Sequence, residues 1–280
     1  MVALFGSGLG LRQEHLATLV TDGVPDAIDF FEIAPENWMS HGGLKRQHLQ
    51  TLLALRPFTA HGLSLSIGGS DPLDESFLYQ LAQFLDTYHI EQYSEHLSWC
   101  SAQGHLYDLL PLPFNDEVVE HVASRVKRVQ HVLGRRIALE NTSFYMAAPQ
   151  STMDEPSFIR AVIEQADCDL HLDINNVFVN SINFGFDPYR YLQQLPTDRV
   201  VYLHTAGHFR ETDDLVIDTH GASVVEDVWH LLAHFFKHYG VYPTLLERDA
   251  NIPPVADLLT EIHRIKALQD SAYTTRNDVP

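Results

Sequence analysis

Cysteine is scarce in this 280-residue chain, with Cys100 and Cys168 the only two. They lie far apart, so there is no CxxC pair, no zinc-finger spacing and no disulfide framework. Basic residues are also few. Lys and Arg number 18 against 37 Asp and Glu, a formal net charge of −19 with His neutral. Such a surface repels phosphate backbones and anionic lipid, which disfavours nucleic acid and membranes as partners. It suits a basic partner or bound cations. No apolar run approaches the ~18 residues needed to span a bilayer. The first six residues lack the charged region and cleavage pattern of a signal peptide. A soluble cytoplasmic protein is expected. Composition is otherwise that of a globular chain, 45% hydrophobic and 20% charged.

Histidine is abundant: 17 residues, nearly as many as Lys and Arg together. Its placement follows from the organisation of the chain. Eight strand-like runs, at 2–6, 27–33, 58–65, 92–97, 136–140, 169–174, 199–204 and 244–247, alternate with helical patterns. Val200-Val-Tyr-Leu203 is continuously apolar, as in strands buried on both faces. Val118, Val122, Val126, Val129 and Leu133 form one helical face, with Asn115 as its start signal and Gly134 as its stop. A second face runs from Val224 to Phe236, with Ser223-x-x-Glu226 as a capping box and Gly240 at its end. Further faces run from Phe77 to Tyr88 and from Leu258 to Leu268.

Eight-fold alternation implies parallel strands with right-handed crossovers. The predicted fold is α/β, a single (β/α)8 TIM-type barrel over residues 1–270 with a polar, frayed tail at 271–280. An open doubly wound sheet is the runner-up. Gly6-Ser-Gly-Leu-Gly10 lacks the GxGxxG spacing that fold would want.

In a barrel, chemistry sits at the C-terminal ends of the strands. There the sequence places His61, His96, Glu140, Asp173 with Asn176, His204, and Glu247, and the loop after the seventh strand adds Asp218 and His220. A lone His is usually a surface or satisfied core residue, and that reading suits His15, His48, His89, His121, His131, His230, His234, His238 and His263 on helical stretches. It weakens where six strands converge. Carboxylates crowded in a partly buried mouth repel unless cations sit between them. Imidazole with carboxylate is the ligand set of Zn, Mn or non-heme Fe. Nine candidates exceed one ion's coordination, so a di- or trinuclear centre is expected, with Glu140 as bridge. Asn176 is the weakest ligand among them. Glu32, Asn37, Asn141, Asn175 and His208 are read as groups that orient ligands or touch substrate, with Arg pairing the competing role for Glu32, Glu36 and Glu95. Cys100 is read as an inert small residue.

These segments resemble the bacterial DUF692 (UPF0276) family of multinuclear non-heme iron-dependent oxidative enzymes. The matching stretches include Gly8-Leu-Gly-Leu-Arg12, Phe31-Glu-Ile-Ala-Pro-Glu-Asn-Trp38, His61-Gly-Leu-Ser-Leu-Ser66, Tyr93-Ser-Glu-His-Leu-Ser98, His105-Leu-Tyr-Asp-Leu-Leu-Pro111, Ala138-Leu-Glu-Asn141, Leu172-Asp-Ile-Asn-Asn-Val177, His204-Thr-Ala-Gly-His208, Asp218-Thr-His-Gly221 and Leu246-Glu-Arg-Asp249. The resemblance implies a TIM-type barrel with two or three iron ions (Fe2+/Fe3+), for which zinc or manganese can substitute in a crystal. It implies O2-dependent modification of cysteine in a ribosomally made peptide, as in methanobactin biosynthesis. It also implies a second protein that presents the peptide. Two rival enzyme classes are weighed. Endonuclease IV-like barrels carry His three residues after the sixth-strand Asp, where this chain has Asn176. Sugar-isomerase-like barrels use a lysine near the metals, and no Lys ends a strand here. A metal- or peptide-binding module is the non-enzyme alternative.

Overall fold

A computed structural model describes residues 4–277. Eight parallel strands close into one barrel: β1 (Ser7–Gly10), β2 (Phe30–Ile33), β3 (Phe58–Gly62), β4 (Tyr93–His96), β5 (Ala138–Glu140), β6 (Asp169–Asp173), β7 (Val200–Thr205) and β8 (Thr244–Leu246). Each pairs with its sequence neighbours, and β8 closes on β1 with Ser7 opposite Thr244. Helices α1 (Leu16–Thr21), α2 (Gly43–Leu53), α3 (Glu75–Thr87), α4 (Asp116–Leu133), α5 (Glu155–Ala166), α6 (Ile174–Phe184), α7 (Pro188–Gln194), α8 (Glu226–Tyr239) and α9 (Val255–Asn277) fill the crossovers. Their apolar stripes bury against the strands and form one core. The α4 stripe behaves as its spacing predicts. Asn115 accepts the Val118 N–H, and Gly134 ends the helix at φ +64°, where a side chain would be strained.

The structure departs from the sequence reading in four places. The first strand is Ser7–Gly10, not 2–6, of which residues 2 and 3 lie outside the described residues. Its small residues hide it from a hydrophobicity search, and packing explains them. A Cβ on Gly8 would sit 2.4 Å from the Phe30 ring that fills the barrel beside it. The capping box at Ser223 does not form: α8 starts at Glu226, whose carboxylate pairs with Arg264. The 271–280 segment is helical as far as Asn277, because α9 continues through it. Two hairpins, Trp99–Ser101 with His105–Leu110 and Phe209–Arg210 with Val216–Ile217, rise from the loops after β4 and β7.

The Gly8–Phe30 contact has a measurable consequence. Gly8→Ala should cost about 1–3 kcal/mol by overpacking. Adding Phe30→Leu should return part of that loss, a coupling readable by denaturant unfolding of the single and double variants. Strict additivity would mean that the ring does not set the need for glycine.

Candidate metal centre

Side chains alternate in and out along a strand, so residues two apart share the barrel interior. This rule builds the site in layers. Glu32, His61, His96, Glu140, Asp173 and His204 occupy the upper layer, with Glu247 immediately after β8, and all are buried or nearly so. Two residues earlier on three of these strands stand Ser94, His171 and Tyr202, buried beneath them. Register sets the neighbours: His96 lies opposite Glu140, and Asp173 opposite His204.

Donor atoms approach closely. His61 Nε2 is 3.1 Å from His96 Nε2, and the two lie 3.0 and 3.3 Å from Glu140 Oε2. Those are the separations of neighbouring ligands around an ion held at about 2.1 Å. Glu140 Oε1 faces the other way, 3.7 Å from His204 Nδ1, which is 2.9 Å from Glu247 Oε2. His220 continues the arc, with Nδ1 3.3 Å from Glu247 Oε2 and Nε2 2.7 Å from Asp218 Oδ1. Glu140, Asp173 and His204 offer a further trio, as do Asp173, His220 and Glu247. Among the described residues, six buried atoms in this arc make no hydrogen bond of ordinary geometry, close as some lie to an oppositely charged group: Glu140 Oε2, Asp173 Oδ2, Asn176 Oδ1, His96 Nδ1, His204 Nδ1 and His220 Nε2. Buried polar atoms are rarely left so, and convergent acceptors of this kind fit cations.

A chain of buried hydrogen bonds orients the imidazoles. His61 Nδ1 contacts Ser94 Oγ at 2.8 Å, Ser94 Oγ contacts the Tyr202 hydroxyl at 2.5 Å, and Tyr202 donates to Glu32 Oε2 at 2.8 Å. His204 Nε2 meets the same oxygen at 3.0 Å. Glu32 is acceptor-only when ionised, so every donor points toward it. His61 then keeps its proton on Nδ1, which leaves its Nε2 as a free lone pair facing the cluster. Burial opposes protonation of His204, but Glu32 and Glu247 outweigh it and hold the ring well above the usual imidazole range, so its Nδ1 becomes a free lone pair only when a cation displaces that proton.

Helix α6 organises the loops. Asp173 caps it by accepting the Asn176 N–H at 2.8 Å. Asn141 bonds both the N–H and C=O of Asp173, and Asn176 donates to the Asn141 carbonyl. Asn175 bridges His208 and Asp218 at 2.7 and 2.8 Å. Asn180 clamps Thr142 and Phe144, and Asn183 clamps Val216.

Electrostatics reflect this crowding. Burial pushes Glu140 up to about 7, against the pull of His96. Burial and Glu140 push Asp173 up to about 8. Burial works against protonation of His96 and His220, yet the carboxylates outweigh it. Glu140 and Glu95 hold His96 at about 9, and Asp218 and Glu247 hold His220 at about 10. His61 goes the other way, to about 3, through burial and the neighbouring His96. Without cations, the cluster balances its charge with protons.

Of the residues singled out from sequence, the nine candidate ligands and Glu32, Asn141, Asn175 and His208 converge here. Asn37 does not: it is exposed on the short turn after β2. Among the described residues, Glu32, Glu36 and Glu95 pair with no Arg. Glu36 accepts from Leu63 N and Ser64 Oγ, and Glu95 accepts from the Tyr93 hydroxyl. Sequence reasoning missed Ser94, Tyr202 and His171, whose ring stacks on Tyr202 at 4.0 Å with both nitrogens unpartnered. The signal was available: each lies two residues before a rim ligand. It also missed Asn180 and Asn183, which follow Asn176 at helical spacing.

Comparison with known proteins agrees with this architecture. The barrel matches the 3-keto-D-glucoside 4-epimerase of E. coli with a TM-score of 0.62 at 14% identity, covering 94% of this chain and 99% of that one. It matches endonuclease IV of Thermus thermophilus at 0.59 and 13%, covering 95% and 100%. These likenesses establish a TIM-barrel fold of the type those enzymes share. Residues 6–270 match the family described as RiPP precursor modification enzyme MbnB/TglH/ChrH, RiPP denoting a ribosomally synthesised, post-translationally modified peptide. The UPF0276 protein of Nitrosospira multiformis is 56% identical over 262 residues, 94% of this chain and 92% of its own. That of Pseudomonas aeruginosa PAO1 is 50% identical over 265 residues, 94% and 92%. The chain belongs to this family, the UPF0276 group of RiPP precursor modification enzymes.

Two predictions follow from the geometry and the charge. Between pH 7 and 9 the unfolded chain has largely released protons that folded Glu140, Asp173, His96 and His220 still hold. The folded state binds more protons, so stability of the metal-free protein falls as pH rises through this window. A divalent cation displaces those protons, so its stabilising effect grows with pH. Thermal melts with and without added metal should show a widening gap from pH 7 to 9, and a constant gap would contradict the proton balance. Tyr202→Phe removes the donor that ties Ser94 to Glu32. It should weaken metal affinity about 10–100-fold in a chelator competition while the barrel stays folded. An unchanged affinity would leave the orienting chain without a role.

Proposed function

We propose that the protein is a multinuclear non-heme iron-dependent oxidative enzyme that uses O2 to modify cysteine residues of a ribosomally synthesised peptide. In this reading it works in the cytoplasm with a second protein that presents the peptide. The observation that carries the reading is the cavity above the cluster. It measures about 650 Å³, and its floor includes His61, His96, Glu140, Asn176, Asp218, His220 and Glu247. Among the described residues, no Lys or Arg lines it. Arg12 is paired with Asp249 and Glu247. A phosphodiester substrate would call for cations beside its phosphates. A sugar isomerase of the kind weighed from the sequence would call for a lysine near the metals. Neither is present, and a neutral or basic peptide is compatible with the acidic floor.

The residues fit two or three iron ions. His61, His96 and Glu140 would hold one. Glu140 would bridge to a second, held with Asp173, His204 and Glu247. Asp218, His220 and Asn176 complete the set. Iron so held supplies thiol acidification and activation of O2 for hydrogen abstraction. The chain's own part is to present neutral nitrogens at His61 Nε2 and His204 Nδ1. It also gives up the protons that the Glu140 and Asp173 carboxylates hold as the ions enter, and leaves the cavity open to a peptide.

The test is mass spectrometry of a Cys-containing peptide encoded beside the gene, after incubation with the Fe2+-loaded protein, its presenting partner and O2. The expected result is an O2-dependent mass change in the cysteine-bearing fragment, lost in His61→Ala and in His96→Ala. An unchanged peptide together with zinc-dependent cleavage of abasic-site DNA would replace this reading with the hydrolytic one.

A further inference from the structure

The cavity has two unlike sides. Its floor is the polar cluster, and its upper wall is apolar. Leu63 follows β3, Leu106 belongs to the hairpin after β4, and Tyr145 and Met146 lie in the loop after β5. All four line the same cavity. They remain 39%, 37%, 51% and 67% exposed respectively. Single exposed apolar side chains are normal, but four converging on one opening form a patch of the kind that marks a binding surface.

The wall is held in place rather than loose. The Tyr145 hydroxyl accepts the Asp218 N–H, and Asn180 clamps the loop one residue before it. The Leu63 N–H is bound by Glu36. One carboxylate in the cavity stands apart from the cluster. Asp108, on the hairpin strand beside Leu106, makes no hydrogen bond or ion pair among the described residues. With no Lys or Arg among the described residues that line the cavity, an acidic group entering it meets carboxylates and is repelled.

We propose that this wall is a specificity surface for the residues flanking the modified cysteine. It accepts a peptide segment with an apolar or aromatic side chain next to that cysteine and a basic one close by, and it rejects acidic flanks. The proposal rests on the peptide-modifying reading above and adds the chemistry of the sequence recognised. The cysteine reaches the cluster through the floor of the cavity. Its neighbours are gripped by Leu63, Leu106, Tyr145 and Met146, and Asp108 receives the basic group.

Three defined probes separate the possibilities. They are acetyl-Lys-Leu-Cys-Phe-Lys-amide, acetyl-Lys-Ser-Cys-Ser-Lys-amide and the cysteine-free acetyl-Lys-Leu-Ser-Phe-Lys-amide. Binding to the metal-loaded protein is measured anaerobically by calorimetry, so no turnover intervenes. The Leu/Phe peptide should bind at least about tenfold more tightly than the Ser-flanked peptide, the scale of burying one large apolar side chain. The double variant Leu106→Gln/Met146→Gln, both exposed positions, should cut that preference to within about twofold. Metal content should not change. Equal affinity of the two cysteine peptides, failure of either to bind, or a preference that survives the double variant overturns the proposal. If the apolar preference holds but the cysteine-free peptide binds as well as its cysteine counterpart, the wall stands and the cysteine-directed reading fails.

Discussion

Too many charges of one sign share too little water at the mouth of this barrel, and most of the structure can be read as the answer to that. Glu140, Asp218 and Glu247 line one cavity, with Asp173 and Glu32 in the cluster beside them, and among the described residues no Lys or Arg lines it. Two carboxylates about 4 Å apart repel by several kcal/mol even at an effective dielectric near 20. Left alone, they capture protons and charge the neighbouring imidazoles: burial, with carboxylate repulsion added to it, raises Glu140 and Asp173, while the carboxylates outweigh burial to keep His96 and His220 cationic. Cations do the same work at higher charge density. A cluster that balances with protons when empty is already arranged to exchange them for metal.

Holding such a cluster requires a rigid frame, and a parallel barrel supplies one at low cost in loops. Six strands deliver a rim residue each, and the layer below turns those residues to face one another. The donor chain from His61 through Ser94 and Tyr202 ends at Glu32, and His204 reaches the same carboxylate from the other side. One buried anion thus sets the free nitrogens of two imidazoles on different strands. Glu32 does this without being among the nine candidate ligands. His171 fills the space beneath, stacked on Tyr202 and edge-on to His204 at 3.9 Å.

How much of this the sequence discloses depends on the kind of force involved. Strand count, barrel closure and rim residues were legible because each rests on a local pattern: an apolar run, a helical stripe, a His or carboxylate at a strand end. The first strand was not, because Ser7-Gly-Leu-Gly10 is shaped by the Phe30 ring packed against it, a contact between distant positions. The Ser223 capping box matched a local motif and lost to Glu226 pairing with Arg264 on the next helix. Asn37 sits in a motif full of site residues yet points to solvent. Ser94 and Tyr202 look like ordinary strand residues until alternation is counted backwards from His96 and His204.

Helix α6 shows how the two halves of the site are joined. Its first turn belongs to the rim, since Asp173 is at once a rim carboxylate and the helix cap. Asn175 and Asn176 reach Asp218 and Asn141 from that turn, and Asn180 and Asn183 extend the reach to the loops at 142–144 and 216. Those loops carry Ser143 and Tyr145, which hold Asp218 by its carboxylate and its backbone N–H. Asp218 is therefore placed by hydrogen bonds with Asn175, Ser143 and Tyr145, and His220 by its contacts with Asp218, Asp249 and Glu247, whereas His61, His96, Glu140 and His204 are placed by the strand ladder itself. The same β5 loop contributes Tyr145 and Met146 to the apolar wall. The geometry that positions the loop-borne donors and the surface that meets the substrate are parts of one tethered segment, so neither can be rearranged without disturbing the other.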